Sequence, residues 1–309
     1  MKKYRLILLH VVVLMLLAVL TLKFTEEIQV LKKTVKAAVT HRIEATQSDG
    51  SLLADVEPAV NNADAWYNKC RIIYHAGGGI NGHTYTNSAE AVEKTLAENP
   101  GVCFIEMDFR MTSDNVLVCV HEWSDACLNQ TKAPSLQEFL SWKIQGEYSP
   151  LTAEDFLRIM AENADLYLIT DFKGTSEHPL PEMAAELVRL SGRDESILNR
   201  VIIELHGEND KEEILKIYPF DDDQFIFSPY AIGGWRPEIA SLCSRQNITV
   251  IATDRYNIPD DELAALRELG YVVYEFTVNR LDEARIRMEQ GVCGFYTDYL
   301  TPEDLLPPS

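Results

Sequence analysis

The feature that most constrains the fold is a regular alternation of short apolar runs and helical patterns from residue 70 onward. Amphipathic stretches such as SAEAVEKTLAE (88–98) and LDEARIRMEQ (281–290) lie between most of the apolar runs. The runs are 71–75, 103–109, 116–121, 166–172, 201–206, 224–229, 248–253, 271–278 and 294–298. This alternation is typical of a parallel sheet whose strands are connected by crossover helices.

Two neighbouring runs break the alternation. Runs 103–109 and 116–121 are too close for a parallel crossover, which needs about a dozen residues or more. The segment between them, Thr-Ser-Asp-Asn (112–115), has the composition of a turn, so we expect an antiparallel hairpin in which Met111 pairs with Val116. Without run 116–121, eight β/α units are left. They predict an α/β fold, a TIM-type (β/α)8 barrel with a small hairpin insertion after strand 2.

Two histidines and two carboxylates stand where the first runs end. His75 ends the first run, Glu106 and Asp108 lie two apart in the second, and the expected hairpin register places His121 opposite Glu106. Residues two apart on a strand share a face, and paired carboxylates suit a hard divalent cation. Imidazoles suit proton transfer near neutral pH. Because active sites of such barrels lie at the carboxyl ends of the strands, these residues predict a phosphodiester-cleaving site.

Two later runs end in further polar pairs. Asp171 and Lys173 repeat the two-residue spacing, so Asp171 can complete a three-carboxylate site and Lys173 can hold a phosphate oxygen. The pattern predicts one divalent cation, Ca²⁺ or Mg²⁺, since both take oxygen ligands. Glu204 and His206 share a face at the end of the fifth run, and we expect them to line the pocket.

The N-terminus resembles a membrane anchor. Met-Lys-Lys-Tyr-Arg precedes an apolar run at 6–22, close to the roughly 17–25 residues that span a bilayer. The basic residues before it place the N-terminus in the cytoplasm and the remainder outside. We expect an uncleaved single-pass anchor in the cell membrane, with a cleaved signal peptide as the alternative. The predicted organisation is a cytoplasmic tip and transmembrane anchor (1–23), a stalk or linker (24–69) and an extracytoplasmic barrel domain (70–309).

The charge of the chain limits its partners. The formal net charge is −20, which repels nucleic acid phosphates, so no nucleic acid partner is expected. The same charge repels an anionic phosphodiester, and a bound cation would offset this repulsion locally.

The ordered motifs resemble those of the glycerophosphodiester phosphodiesterase family, across roughly residues 70–305. That family carries H-R-G, E-N-T, E-x-D, a later H-D, W-T-V-N and I-T-D. In this chain the corresponding segments are His75-Ala76-Gly77, Thr86-Asn87-Ser88, Glu106-Met107-Asp108, His121-Glu122, Phe276-Thr277-Val278-Asn279 and Tyr296-Thr297-Asp298.

The resemblance implies a role for each matched residue. Within the family pattern, His75 and His121 would be the acid/base pair. The implied metal ligands are Glu106, Asp108 and Asp171. The implied substrate contacts are Lys173 and Asn87. His206, which we expect to line the pocket, is a third predicted substrate contact. Ala76 stands where the family has Arg, and Thr86 where it has Glu. Asp171 replaces the usual Glu, which is similar to the spider-venom sphingomyelinase D relatives.

Together, these observations predict a metal-dependent phosphodiester hydrolase that acts outside the cytoplasm. Its substrate would be a glycerophosphodiester, a lipid head group or an envelope polymer. One alternative is a phospholipase D-like lyase that forms a cyclic phosphate. The other is a catalytically lost barrel that binds an envelope polymer or a partner.

Overall fold

The structure, a computed structural model, describes Leu53, residues 56–60 and residues 62–306. The predicted transmembrane segment at 6–22 and most of the predicted stalk lie outside these residues. Within the described part, no helix is long and apolar enough to cross a membrane.

The described residues form one sheet of ten strands. The strands are β1 (Ile72–Tyr74), β2 (Cys103–Met111), β3 (Leu117–Cys119), β4 (Leu151–Thr152), β5 (Leu166–Phe172), β6 (Val201–Leu205), β7 (Phe225–Phe227), β8 (Val250–Asp254), β9 (Val272–Phe276) and β10 (Gly294–Thr297). The eight strands other than β3 and β4 form a ring of parallel pairs, which β1 closes by pairing with both β2 and β10. Strand β3 pairs antiparallel with β2 and with β4. The predicted eight-stranded TIM-type barrel is confirmed.

Helices connect the barrel strands. The α-helices of the described residues are α1 (Ala89–Glu98), α2 (Trp123–Ala126), α3 (Leu136–Ser141), α4 (Ala153–Glu162), α5 (Leu180–Leu190), α6 (Glu195–Leu198), α7 (Asp210–Leu215), α8 (Pro237–Arg245), α9 (Asp260–Glu268) and α10 (Leu281–Gln290). Short 3₁₀ helices are η1 (Trp66–Asn68), η2 (His75–Gly77), η3 (Asp222–Gln224), η4 (Pro229–Ile232) and η5 (Pro302–Leu305).

The insertion after β2 begins with the predicted hairpin. The hairpin is confirmed, but its predicted register is wrong by one residue, because Met111 pairs with Leu117 rather than with Val116. Thr112 and Val116 close a three-residue loop through a 2.9 Å bond from the Thr112 N–H. Asn115 ends this loop in the left-handed region (φ 62°), the usual geometry of a type I turn with an added bulge.

The corrected register changes how His121 reaches the site. Strand β3 ends at Cys119, and the last ladder-like bond runs from the Val120 N–H to the Asp108 carbonyl at 2.9 Å. His121 therefore follows the strand instead of pairing with Glu106 inside the ladder. Its place is set by the turn that leads into α2.

Helix α4 fixes the hairpin against the barrel. Thr152 and Asp155 form a capping box, in which the Asp155 N–H donates to Thr152 Oγ1 at 3.1 Å. Phe156 and Met160, one turn apart on α4, are completely buried in the same core cluster as Leu117 and Cys119 of β3. Burial of such side chains stabilises the fold by about 1.5–3 kcal/mol each. The packing holds in place the strand that precedes His121.

The amino-terminal end of the barrel is closed by residues that precede β1. Trp66 is 6% exposed and stacks on Tyr274 of β9 with ring centroids 5.7 Å apart. Its indole N–H donates to the Asp223 carbonyl at 2.7 Å. The interior above it is filled by apolar side chains of the strands: Ile73, Phe104, Ile169, Ile202, Ile226, Val250, Ala252 and Tyr296. Residues 62–69, assigned to the stalk from the sequence, thus belong to the packed unit.

Candidate active site

Three carboxylates meet at the carboxyl ends of β2 and β5. The two strands pair in parallel with Asp108 directly opposite Asp171, and Glu106 precedes Asp108 on the same face. One oxygen from each of Glu106, Asp108 and Asp171 lies within 4.8 Å of the others. The structure therefore brings together the three residues that the sequence assigns to a metal site.

Glu106 is a buried carboxylate with one hydrogen-bonded and one unpaired oxygen among the described residues. Its side chain is 2% exposed, and Oε2 accepts a 2.8 Å hydrogen bond from the Ala76 N–H. The other oxygen, Oε1, is buried with no hydrogen-bond partner among the described residues. Burial, followed by the nearby charge of Asp108, raises the pKa of Glu106 well above its usual value. An unpaired buried oxygen is costly, and a cation bound there would satisfy it.

Asn87 orients Asp108 through both ends of its amide. The Asn87 Nδ2 group donates to Asp108 Oδ2 at 2.8 Å, and the Asp108 N–H donates to Asn87 Oδ1 at 3.0 Å. Asn87 is completely buried and adopts the left-handed region (φ 47°), which Asn tolerates better than most residues. Both polar atoms of the Asn87 amide therefore hydrogen-bond to Asp108. In the structure Asn87 therefore orients Asp108, and its role as a substrate contact stays a prediction.

Lys173 bridges two of the carboxylates. Its Nζ lies 2.9 Å from Asp108 Oδ1 and 2.5 Å from Asp171 Oδ2. Burial lowers the pKa of Lys173, but the charges of Asp108 and Asp171 outweigh it and raise the pKa well above its ordinary value. The ammonium therefore stays charged at neutral pH beside the carboxylates of Asp108 and Asp171.

His206 contacts the remaining oxygen of Asp171. Its Nε2 lies 3.0 Å from Asp171 Oδ1. Burial lowers the pKa of His206, but the hydrogen bond to Asp171 and its charge raise the pKa to about 9. Burial raises the pKa of Asp171, but Lys173 and His206 together bring it below its usual range. At neutral pH the site therefore contains an aspartate held by two cationic side chains.

Glu204 adds a fourth carboxyl group to the barrel mouth. It is 3% exposed, and its Oε2 accepts a 2.9 Å hydrogen bond from the Tyr296 hydroxyl. Burial and the charge of Asp171 raise the pKa of Glu204 to about 7. Ligand atoms of Asp171, Glu204 and His206 also lie within 4.8 Å of one another, so Asp171 belongs to both groups.

His75 is held by a carboxylate that the sequence-based site did not include. It follows β1, is 8% exposed, and its Nδ1 lies 3.0 Å from Asp298 Oδ1. Asp298 Oδ2 in turn accepts a 2.6 Å bond from Asn279 Nδ2. When Nδ1 carries the proton, Nε2 is left available for proton transfer. The sequence signal for Asp298 and Asn279 was the pair of motifs that end β9 and β10.

His121 has a similar arrangement but is more open. Its Nδ1 lies 3.2 Å from Asp125 Oδ2, and about a third of its side chain is exposed. Asp125 lies in α2 and also accepts the Glu122 N–H at 3.0 Å. Each histidine thus has one nitrogen on a carboxylate. The i,i+4 spacing of His121 and Asp125 was the available signal for this second carboxylate.

No family model and no curated protein sequence matches the chain. Solved structures do match its fold. The glycerophosphodiester phosphodiesterase from Parabacteroides distasonis is 19% identical, with a TM-score of 0.57 and coverage of 74% of this chain and 92% of that chain. The Thermotoga maritima enzyme of the same name is 16% identical, with a TM-score of 0.51 and coverage of 74% and 93%.

A third neighbour carries a ligand. The Oleispira antarctica phosphodiesterase in complex with its product sn-glycerol-3-phosphate is 13% identical, with a TM-score of 0.59 and coverage of 74% of this chain and 93% of that chain. Identities this low establish the fold. The chain is a (β/α)8 barrel of the kind found in solved glycerophosphodiester phosphodiesterases.

Proposed function

We propose that this protein is a metal-dependent phosphodiester hydrolase of the glycerophosphodiester phosphodiesterase type. One observation carries the proposal: three carboxylates within 4.8 Å at the barrel mouth. Two histidines accompany them, and each has its Nδ1 on a further carboxylate. The shared fold, and the product bound to the Oleispira antarctica neighbour, favour a glycerol-phosphate linkage over other phosphodiesters.

Glu106, Asp108 and Asp171 would hold one divalent cation, Ca²⁺ or Mg²⁺. The donor set fits, because all three offer carboxylate oxygens and Glu106 Oε1 is buried without a partner among the described residues. When bound, the cation supplies charge neutralisation at the phosphoryl oxygens. Asn87 keeps Asp108 in a fixed orientation for this role.

His75 and His121 would carry the protons. One takes the proton of the attacking oxygen, and the other gives a proton to the leaving oxygen. Asp298 and Asp125 each hold one imidazole by its Nδ1, which orients the ring. Both histidines therefore present Nε2 as the working nitrogen.

Lys173 and His206 would hold the phosphate. Both are cationic at neutral pH and both contact Asp171. This pair accounts for the absence of Arg at position 76, since two cations already stand beside the acids.

The proposed substrates are a glycerophosphodiester, a lipid head group or an envelope polymer. The apolar run at 6–22 supports a location in which a membrane anchor holds the barrel outside the cytoplasm.

The test uses the whole protein with glycerophosphodiesters and lysolipids as substrates. We expect turnover that needs Ca²⁺ or Mg²⁺ and falls by about 10²–10⁴-fold in His75→Ala and in His121→Ala. His178→Ala is the matched control, because His178 pairs with Glu182 of α5 and has no assigned role in the site. Full activity in both histidine variants would refute the proposal. Phosphorus NMR separates hydrolysis from the lyase alternative, in which a cyclic phosphate accumulates.

A further inference from the structure

The loop between β1 and α1 is fixed on both sides of Tyr85. Before it, the Thr84 carbonyl accepts a 2.8 Å hydrogen bond from Gln145 Nε2 of the insertion. After it, Thr86 is 1% exposed, and the Asn87 N–H donates to the Ala76 carbonyl at 3.0 Å. The backbone around Tyr85 is therefore held by contacts that do not involve the tyrosine ring.

Tyr85 itself has an unusual backbone conformation and an exposed side chain. Its φ is 57°, a region that bulky L-residues rarely adopt, and its side chain is 38% exposed. Backbone preference would favour Gly or Asn at this position. The large ring is thus not explained by the turn that carries it, nor by core burial.

The ring lies between the two proposed acid/base residues. Its centroid is 4.4 Å from that of His75, with the planes nearly perpendicular (89°). It is also 4.9 Å from that of His121, at an interplanar angle of 58°. Ring contacts of this kind contribute about 0.5–1.5 kcal/mol each beyond the buried area. Although Tyr85 is partly exposed, desolvation by the surrounding side chains raises the pKa of its phenol to about 12, and its hydroxyl bonds to Thr277.

The two histidines depend on this ring to different extents. His75 is 8% exposed and is held by Asp298, which Asn279 supports in turn. His121 has about a third of its side chain exposed, follows a strand of three residues, and its imidazole bonds to Asp125 at 3.2 Å. Removal of the Tyr85 ring therefore frees His121 more than His75.

We propose that Tyr85 is a positioning residue that holds the imidazoles of His75 and His121 apart in their working orientations, with its main effect on His121. The inference rests on the proposed phosphodiesterase function. Tyr85 acts through the shape of its ring, so replacement by Phe should be tolerated far better than loss of the ring. It supplies the steric restraint that β3 and Asp125 leave incomplete.

The kinetic test compares Tyr85→Ala, Tyr85→Leu and Tyr85→Phe. A misplaced catalytic group costs about 100-fold, so we expect kcat to fall by about that factor in the Ala and Leu variants with a smaller change in KM. The Phe variant keeps the ring and should keep most of the activity. Tyr230→Ala is the control, because Tyr230 is also exposed at the mouth but its ring packs on Phe276. Wild-type kcat in Tyr85→Leu, or a Phe variant as poor as the Leu variant, would overturn the inference.

A double-variant cycle separates positioning from a general structural role. If Tyr85 and Asp125 both restrain His121, the combined loss in Tyr85→Leu with Asp125→Asn should be clearly smaller than the sum of the single losses. The cycle with Asp298→Asn, which acts on His75, should be closer to additive. Full additivity with Asp125→Asn would contradict the proposed route through His121.

Imidazole NMR tests the contact without any substrate. In histidine-labelled protein, the signals of His75 and His121, assigned with His→Gln variants, should shift in Tyr85→Leu and stay in place in Tyr230→Ala. Unchanged signals would count against the role of Tyr85 alone. Shifted signals in a protein that hydrolyses no phosphodiester would count against the proposed function instead.

Discussion

Asp298→Asn is the sharpest test of the site, because it changes one atom in a fully described hydrogen-bond chain. Asp298 is 5% exposed, and its Oδ1 lies 3.0 Å from His75 Nδ1. Its Oδ2 accepts from Asn279 Nδ2 at 2.6 Å, and its N–H donates to Asn279 Oδ1 at 2.7 Å. The carbonyl oxygen of the substituted amide can accept a hydrogen bond from His75 Nδ1 or from Asn279 Nδ2, but not from both.

The expected loss follows from the tautomer. If the new amide N–H₂ faces His75, Nδ1 must accept a hydrogen bond, so the ring proton moves to Nε2 and that nitrogen cannot take a proton. Amide replacement of an orienting carboxylate costs about 10⁴ in kcat in a well-studied protease triad. We expect about 10³–10⁴ here, which corresponds to about 4–5 kcal/mol of transition-state stabilisation. The free energy of unfolding should fall by only about 1.5–3 kcal/mol, the net contribution of a hydrogen bond to a charged group.

The assay is steady-state hydrolysis of a glycerophosphodiester at saturating divalent cation, with urea unfolding on the same preparations. Asp282→Asn is the matched control, since Asp282 is 65% exposed and pairs with Arg280. A kcat for Asp298→Asn within about threefold of wild type would refute the reasoning, because the tautomer argument predicts a loss far above that of a typical surface change.

Three further predictions concern the cation, the pH dependence and the barrel floor. Glu106→Gln should weaken Mg²⁺ or Ca²⁺ binding measured by calorimetry, yet stabilise the metal-free protein against urea, because it removes a buried carboxyl group with an unpaired oxygen. His206 has its pKa raised from 6.5 to about 9, so its contribution to metal-free stability is complete below pH 6.5 and is lost as the pH rises through 9. The full loss is about 3 kcal/mol, and urea titrations of His206→Gln should lack that slope. Trp66→Ala should cost about 3–5 kcal/mol of stability in the same titrations, because Trp66 is buried against Tyr274.

The strand pattern could be predicted because barrel strands are buried on both faces. Runs such as 103–109 and 166–172 stand out as continuous apolar segments between amphipathic helices, and both are strands in the structure. The hairpin register could not be predicted, because it depends on Asn115 adopting the left-handed region and not on the hydrophobic pattern. Likewise, Trp66 carries no periodic signal, and only its stacking on Tyr274 shows that it closes the barrel.

Site residues could be predicted from the sequence where they lie at the carboxyl end of a predicted strand. Glu106, Asp108 and Asp171 meet because paired parallel strands align their carboxyl ends. By contrast, Asp298 reaches His75 across 223 positions of sequence, a contact that only barrel closure creates. The role of Asn87 was also hidden, since its amide binds Asp108 rather than facing solvent.

The charges at the barrel mouth give a reason for both the cation and the missing arginine. Four carboxyl groups converge there, and Lys173 and His206 offset only two of them. A divalent cation would neutralise the other two, and without one Glu204 retains a proton up to a pH of about 7. A phosphodiester anion then adds one more negative charge, which a protonated Glu204 tolerates better than an ionised one. In the metal-free protein, binding of a glycerophosphodiester should therefore weaken as the pH rises through 7, and Glu204→Gln should bind it more tightly with little pH dependence, measured by calorimetry. Binding that weakens as steeply with pH in Glu204→Gln as in the wild type would contradict this charge balance.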